Sequence, residues 1–322
     1  MSAITHDMPA VATRTYAGLV LALVSAASFG LSGSLASGLL ATGWTPGAVV
    51  LVRLGVGAVA LTPLGAWSLR GRWGAVRRRL GLIGGYGLLA VAGAQFCYFA
   101  AVQRMEVGPA ILIEYTAPAA VVMWLWLVHG HRPNRVTLAG AALAVVGLVL
   151  VLDVLGGVDV SASGVAWALG AMLGATTYFL INADHSTGLP PIALAWLGLV
   201  VGFAILGVLG ATGLMPMDFH ASRVDLAGSE VAWWLPVALL GVVTAAVAYG
   251  TGIAAGRRLG SRLASFLALF EVVASVLFAW ALLDQLPHLV QLLGGVLVLA
   301  GVVVVRLGEE SLDQGAAALP PV

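Results

Sequence analysis

The sequence predicts an all-α integral membrane protein of ten transmembrane helices, built as two inverted repeats of five. Three observations predict it: an excess of apolar over charged residues, ten apolar runs of bilayer-crossing length, and a likeness between the two halves of the chain. Of 322 residues, 61% are hydrophobic and 9% charged. Soluble domains sit near ~45–50% apolar and ~25% charged, so this chain is composed for a lipid solvent. All 15 basic residues are arginine, and the formal charge of +1 gives no footing for nucleic acid. A single cysteine, Cys97, excludes an internal disulfide and a cysteine-based metal site. Lying in an apolar run, it reads as a buried, inert thiol.

About 20 apolar residues cross a bilayer core as a helix. The runs fall at 17–40, 46–68, 80–103, 108–128, 136–153, 163–184, 190–212, 233–255, 260–283 and 287–306. Helix is required because a lone span in lipid must satisfy its own backbone hydrogen bonds. The first run, Ala17 to Leu40, exceeds the ~7–15 residues of a signal-peptide core and reads as a membrane helix. The longest connection, Gly213 to Ala232, is polar and expected at the surface. Residues 1–16 and 307–322 form an N-terminal segment and a C-terminal tail.

Orientation follows from the arginines. With the N-terminus cytoplasmic, that side receives Arg14, Arg70, Arg72, Arg77, Arg78, Arg79, Arg132, Arg135, Arg257, Arg258, Arg262 and Arg306. The opposite side receives Arg104 and Arg223. The expectation is a multi-pass protein of the inner (cytoplasmic) membrane with both termini cytoplasmic. Trp44, Trp233, Trp234 and Trp280 then belong to an outer aromatic belt, and Trp67, Trp73, Trp124 and Trp126 to an inner one.

The halves, 17–153 and 163–306, repeat one another. Ala-Ala-Val-Gln-Arg at 100–104 matches Ile-Ala-Ala-Gly-Arg at 253–257, and the same offset carries Pro118 onto Glu271. Leu138–Gly147 resembles Leu292–Gly301, and Ala22–Leu31 resembles Ala168–Thr177. An odd number of spans per repeat turns the second copy upside down, an architecture of transporters whose site lies at the repeat interface. Close helix packing is expected at Gly30-x-x-x-Ser34-x-x-x-Gly38, Gly81-x-x-x-Gly85, Gly170-x-x-x-Gly174, Gly198-x-x-x-Gly202 and Gly252-x-x-x-Gly256-x-x-x-Gly260.

Ten helices in two such repeats, each closing with a Gly-x-x-Leu…Gly helix, resemble the EamA branch of the drug/metabolite transporter superfamily. Ile-Glu-Tyr-Thr-Ala-Pro at 113–118 resembles a motif of its amino-acid exporters of the YddG and RhtA kinds. The resemblance spans 17–306 and implies a basket-like bundle around a central cavity, exporting aromatic or other neutral amino acids. Where that family commonly ends its fourth helix in an acid, this chain has His131, while Asp284 fills the matching place in the second repeat.

Charged side chains inside spans are costly, ~2.5–3.5 kcal/mol on insertion scales, and are functional candidates for that reason. Arg53 and Glu114 lie at similar depth and are expected to form a structural ion pair. Pro118 cannot donate to the carbonyl of Glu114, so residues 114–118 are a weakened turn and a candidate gating hinge. The ninth span has no proline there, so the two gates are not expected to move alike. Glu271, counted about eleven residues into the ninth span, is a candidate to carry a coupling proton or bind an amino group. Ser32, Tyr86, Gln95, Tyr98, Phe99, Tyr115, Trp167, Tyr178 and Tyr249 are candidates to line the cavity.

No phosphate-binding loop of the Walker type occurs, so neither ATP nor any other cofactor is expected; a small molecule, lipid and protons are the candidate partners. His129 and His131 beside Arg132 read as a solvated loop rather than a metal site. The leading reading is a secondary transporter exporting amino acids or related metabolites by alternating access. The alternatives are export of drugs or toxic metabolites, and a membrane-embedded enzyme acting on lipid-linked substrates. The enzyme would need convergent acidic, histidine or metal-binding residues at one face, and the inner loops offer arginines and two histidines without a carboxylate pair.

Overall fold

The computed structural model describes residues 8–130, 133–152, 161–183 and 188–317. The first two spans are α1 (Met8–Ala41) and α2 (Pro46–Ser68), followed by a short surface helix α3 (Trp73–Arg78). The third combines α4 (Leu80–Gly85), a π-helical segment Tyr86–Gly93 and α5 (Ala94–Val102). The fourth is split into α6 (Val107–Glu114) and α7 (Ala117–His129); the fifth to seventh are α8 (Arg135–Val151), α9 (Ala162–Ala183) and α10 (Pro191–Ala211). A small hairpin, β1 (Val224–Leu226) and β2 (Ser229–Val231), precedes the eighth. That span joins α11 (Trp234–Gly241), a second π-helical segment Val242–Val247 and α12 (Ala248–Ala268). The ninth, Phe266–Leu283, takes in the end of α12 and then α13 (Phe270–Leu283), and the tenth is α14 (Leu289–Ala317).

Among the described residues, nine of these stretches are long and apolar enough to cross a membrane, and α8, at 17 residues, is a shorter tenth. Pro46 and Pro191 start α2 and α10, where a missing N–H goes unmissed because the first turn has no partner for it. One expectation fails: Arg257 and Arg258 fall between the apolar runs 233–255 and 260–283, where a break in the helix is expected, but α12 runs through them to Ala268. Arginine is a good helix former and no proline interrupts 253–268, so the chain has no local reason to stop.

The chain divides into two compact units: 1–88 with 186–285, and 89–185 with 286–322. In the first, α2 and α10 run antiparallel. Gly47 at the start of α2 meets Met217 just beyond the end of α10, Gly55 meets Phe203, and Gly65 meets Trp196 near the start of α10. Helix α1 packs against both α12 and α13. Its Ser25 hydroxyl donates to the Ala248 carbonyl at 2.8 Å, and a Cβ at Gly30 would lie 2.8 Å from the Glu271 carbonyl.

The 213–232 connection is ordered against this unit rather than lying free. Trp44 Nε1 donates to the His220 carbonyl at 2.7 Å, and the Thr45 hydroxyl donates to that of Pro216 at 3.0 Å. Val224 and Leu226 press on Gly38 of α1, while the Ala227 amide donates to the Leu282 carbonyl of α13 at 2.9 Å. Trp44 is thereby 2% exposed, edge-on to Phe219 and tilted against Trp233, and is not a belt residue. The other seven belt candidates are exposed.

In the second unit α8 and α14 run antiparallel with their backbones in contact. Gly140 faces Gly301 and Val305, and Gly147 faces Gly294 and Val298. The Asn134 side chain caps α8 by accepting from the Thr137 amide and donates across to the Gly308 carbonyl, both at 2.7 Å. Helix α9 lies along α5, with Gly170 against Cys97 and Gly174 against Ala94, and meets α6 and α7 as well. Of the expected small-residue motifs, Gly81, Gly85 and Gly256 meet no neighbour.

The pairing obeys the repeat. Helix α1, first span of the first repeat, packs on the third and fourth spans of the second; α9, its counterpart, packs on the third and fourth of the first. Gly18 meets Arg258 and Leu259; adding 146 gives Gly164, which meets Arg104 and Met105. The two second spans pair with each other, and so do the two fifth spans, antiparallel in both cases. Antiparallel pairing of like with like is what a two-fold axis in the membrane plane requires.

Candidate functional site

Helix interruptions single out the same places in both repeats. Between α6 and α7, the Thr116 amide donates to Ile113 at 3.1 Å and the Ala119 amide to Thr116 at 2.9 Å. Between α12 and α13, Leu269 donates to Phe266 at 3.1 Å and Val272 to Leu269 at 3.1 Å. The offset that carries Pro118 onto Glu271 carries the first pair of bonds onto the second. These tight turns replace ordinary helical bonds. Pro118 is not inside a continuous helix but at the N-terminal turn of α7, and the ninth span breaks at the equivalent point without a proline. The break therefore belongs to the repeat, and proline only makes it locally cheap.

The two π-helical segments obey the same offset. Tyr86–Gly93 in the third span and Val242–Val247 in the eighth overlap when the repeats are aligned. A π turn widens the helix and leaves carbonyls without their usual partners, and such segments occur often at functional sites. In the eighth span side chains take up the load. Arg53, 4% exposed on α2, donates from Nη2 to the Thr244 carbonyl at 2.9 Å, and Ser25 serves Ala248, the first residue after the segment.

Each interruption carries a carboxyl group. Glu114 is the last residue of α6, half-buried, with Tyr115 in the turn that follows. Glu271 is half-buried in the first turn of α13. Both make further interactions within the protein.

The remaining candidates divide between the units. In the first, Ser32 is buried on α1, Tyr86 is 1% exposed, and Tyr249 sets its ring edge-on to Phe29 with centroids 5.0 Å apart. Arg53 belongs to this unit and Glu114 to the other. In the second, Tyr98 and Phe99 are buried with rings 5.7 Å apart. Trp167 of α9 meets Phe96 edge-on at 5.5 Å. Phe96 and Tyr249 occupy equivalent places, each against an aromatic ring from the first span of the other repeat. Tyr178 packs on Phe179. His131 lies outside the described residues.

Sequence reasoning named Gln95 but missed two unsatisfied hydroxyls. The Ser34 hydroxyl on α1, the Ser275 hydroxyl on α13 and Gln95 Oε1 on α5 are buried without a hydrogen-bond partner among the described residues. Buried polar atoms left in this state call for a water or ligand partner. A lone serine in an apolar run carries no sequence signal of this kind.

Comparison with known proteins gives this architecture relatives. Residues 16–153 and 162–307 each match the EamA-like transporter family. An uncharacterized transporter of Archaeoglobus fulgidus is 29% identical over 256 residues, covering 80% of this chain and 85% of its own. The threonine/homoserine exporter RhtA of Escherichia coli is 30% identical over 212 residues, covering 65% of this chain and 67% of its own. A solved crystal structure aligns over 91% of this chain and 99% of its own with a TM-score of 0.58, and at 20% identity speaks for the fold alone.

Proposed function

The chain belongs to the EamA-like transporter family, and from that premise we propose that this multi-pass transporter exports neutral amino acids across the inner (cytoplasmic) membrane by alternating access. One observation carries the reading: each repeat interrupts its fourth span at the same register and places a carboxyl group there, Glu114 in one and Glu271 in the other. Interrupted helices are where transporters expose backbone dipoles and charges to a substrate. A zwitterion has an ammonium for a carboxylate and a carboxylate for backbone N–H groups. Arg53 is already engaged with Thr244, and among the described residues the apolar runs hold no cluster of cations for a phosphorylated cargo.

Each unit by itself offers candidate cargo contacts: Ser34, Ser275 and Tyr249 in the first, and Gln95, Tyr98, Phe99, Tyr115, Trp167 and Tyr178 in the second, with unsatisfied polar atoms at Ser34, Ser275 and Gln95. RhtA is named for threonine and homoserine, two small hydroxylated amino acids. Glu114, Pro118 and the turn between α6 and α7 serve in this reading as the gating hinge, and protons as the coupling ion.

Proteoliposomes loaded with labelled amino acids, one per preparation, test it. Protein-containing vesicles should release at least one neutral amino acid several-fold faster than protein-free ones; no release across a broad panel rejects the cargo. Glu271→Gln removes a titratable group while keeping shape. It should slow release at least tenfold or flatten its dependence on pH between 5 and 8, a loss of about 1.4 kcal/mol or more. Unchanged rates at every pH would take Glu271 out of the mechanism.

A further inference from the structure

We infer that the connection between the second and third spans is a binding surface for anionic phospholipid headgroups. Leu69 to Leu80 holds Arg70, Arg72, Arg77, Arg78 and Arg79 and no acidic residue. Gly71, at φ +76°, lets the chain reverse at once, and the Arg72 amide closes the turn on the Leu69 carbonyl at 2.8 Å. Helix α3 then holds the arginines on an ordered frame, pinned by Val76, which is buried. Around that frame Trp67 is 64% and Trp73 49% exposed.

The guanidiniums of Arg70, Arg72, Arg77 and Arg78 are exposed and make no hydrogen bond or ion pair with described residues. Like charges this close repel, and no carboxylate among the described residues pairs with them. Phosphodiester groups do: a guanidinium fork fits two phosphate oxygens at once, and tryptophan beside it settles at headgroup depth. The second repeat supplies an internal comparison. Its equivalent connection, 213–232, stands at the opposite end of the α2–α10 pair. It carries Asp218, Asp225 and Glu230 against Arg223, which reaches Glu230 at 3.8 Å. One place in the fold thus has two chemistries, and only the first suits an anionic surface. Net positive charge alone would orient the chain without exposed tryptophans or an ordered helix.

Delipidated full-length protein, titrated with phosphatidylglycerol or phosphatidylcholine of equal chain length and read by native mass spectrometry, decides the matter. Phosphatidylglycerol should bind at least tenfold tighter. At about fivefold per arginine, R77Q/R78Q should weaken it about 25-fold, with R77K/R78K between. R257Q/R258Q, which also removes two neighbouring exposed arginines, should change it less than threefold. Equal losses from the two pairs would reduce the effect to net charge and overturn the site, as would equal affinity for both lipids. Displacement by millimolar inorganic phosphate would assign the arginines to free anions instead. A photoactivatable phosphatidylglycerol on the unaltered protein should label residues 67–80, and labelling confined to other segments rejects the inference without any variant. None of these outcomes depends on the cargo.

Discussion

Replacing Gly301 by leucine should leave no folded protein in detergent extracts. A Cβ at that position would lie 2.6 Å from the Ala144 amide nitrogen and 2.6 Å from the Gly140 carbonyl. Gly147 and Gly294 meet the facing backbone in the same way. Backbone cannot rotate aside as a side chain can, so α8 and α14 would have to separate along their length. Overpacking of a tight core costs about 1–3 kcal/mol for small additions, and a whole isobutyl group between two backbones exceeds that range. Gly301→Ala should still fold but melt well below the parent. Gly256→Ala is the control, because no neighbour lies within 4 Å of its Cβ; it should match the parent or gain up to about 1 kcal/mol from helix propensity. Size-exclusion profiles and melting curves read all three. A normal Gly301→Leu protein would mean that the two fifth spans do not meet through their glycines.

Arg53→Ala should destabilise the protein by about 1.5–3 kcal/mol, the worth of a hydrogen bond to a charged group. The loss arises in the eighth span: the Thr244 carbonyl sits in a π-helical segment, its residue fully buried, and Arg53 reaches it from α2. Water cannot replace the donor there. Arg53→Lys keeps a charge on a shorter, unforked stem and should recover part of the stability. Melting temperature and hydrogen exchange across 240–250 provide the readout, alongside release rates for several amino acids. Stability should fall with the order of preferred cargoes unchanged; a stable protein with altered preference would make Arg53 a selectivity residue instead.

Much of the fold was legible because lipid permits so little. A spanning segment must be helical and apolar throughout, so hydropathy located the spans, and the matches at 100–104 and 138–147 located the repeat. What escaped depends on packing between distant segments. The break at Leu269 has no proline or glycine to announce it, because it is set by the same tertiary frame that shapes the turn at Thr116. Trp44 reads as a belt residue by position, yet a connection some 170 residues later folds over it. The seam of Gly140, Gly147, Gly294, Gly301 and Gly308 repeats every seven residues within each helix, a signal present in the sequence but outside the four-residue motif sought. Of the candidate site, both carboxyl groups were found as charges out of place. The unsatisfied Ser34 and Ser275 hydroxyls were not, since nothing local separates them from any other serine.

Inversion of the second repeat is the claim on which the fold, the pairing of like spans and the transport cycle all rest. With Cys97 replaced by serine, single cysteines at Gly74 and Ser222 place one label in each of the two equivalent connections. In sealed vesicles of one orientation, a membrane-impermeant maleimide should reach one of them only from outside and the other only after the vesicles are opened. Reaction of both from the same face would show the repeats to be parallel and would contradict the account.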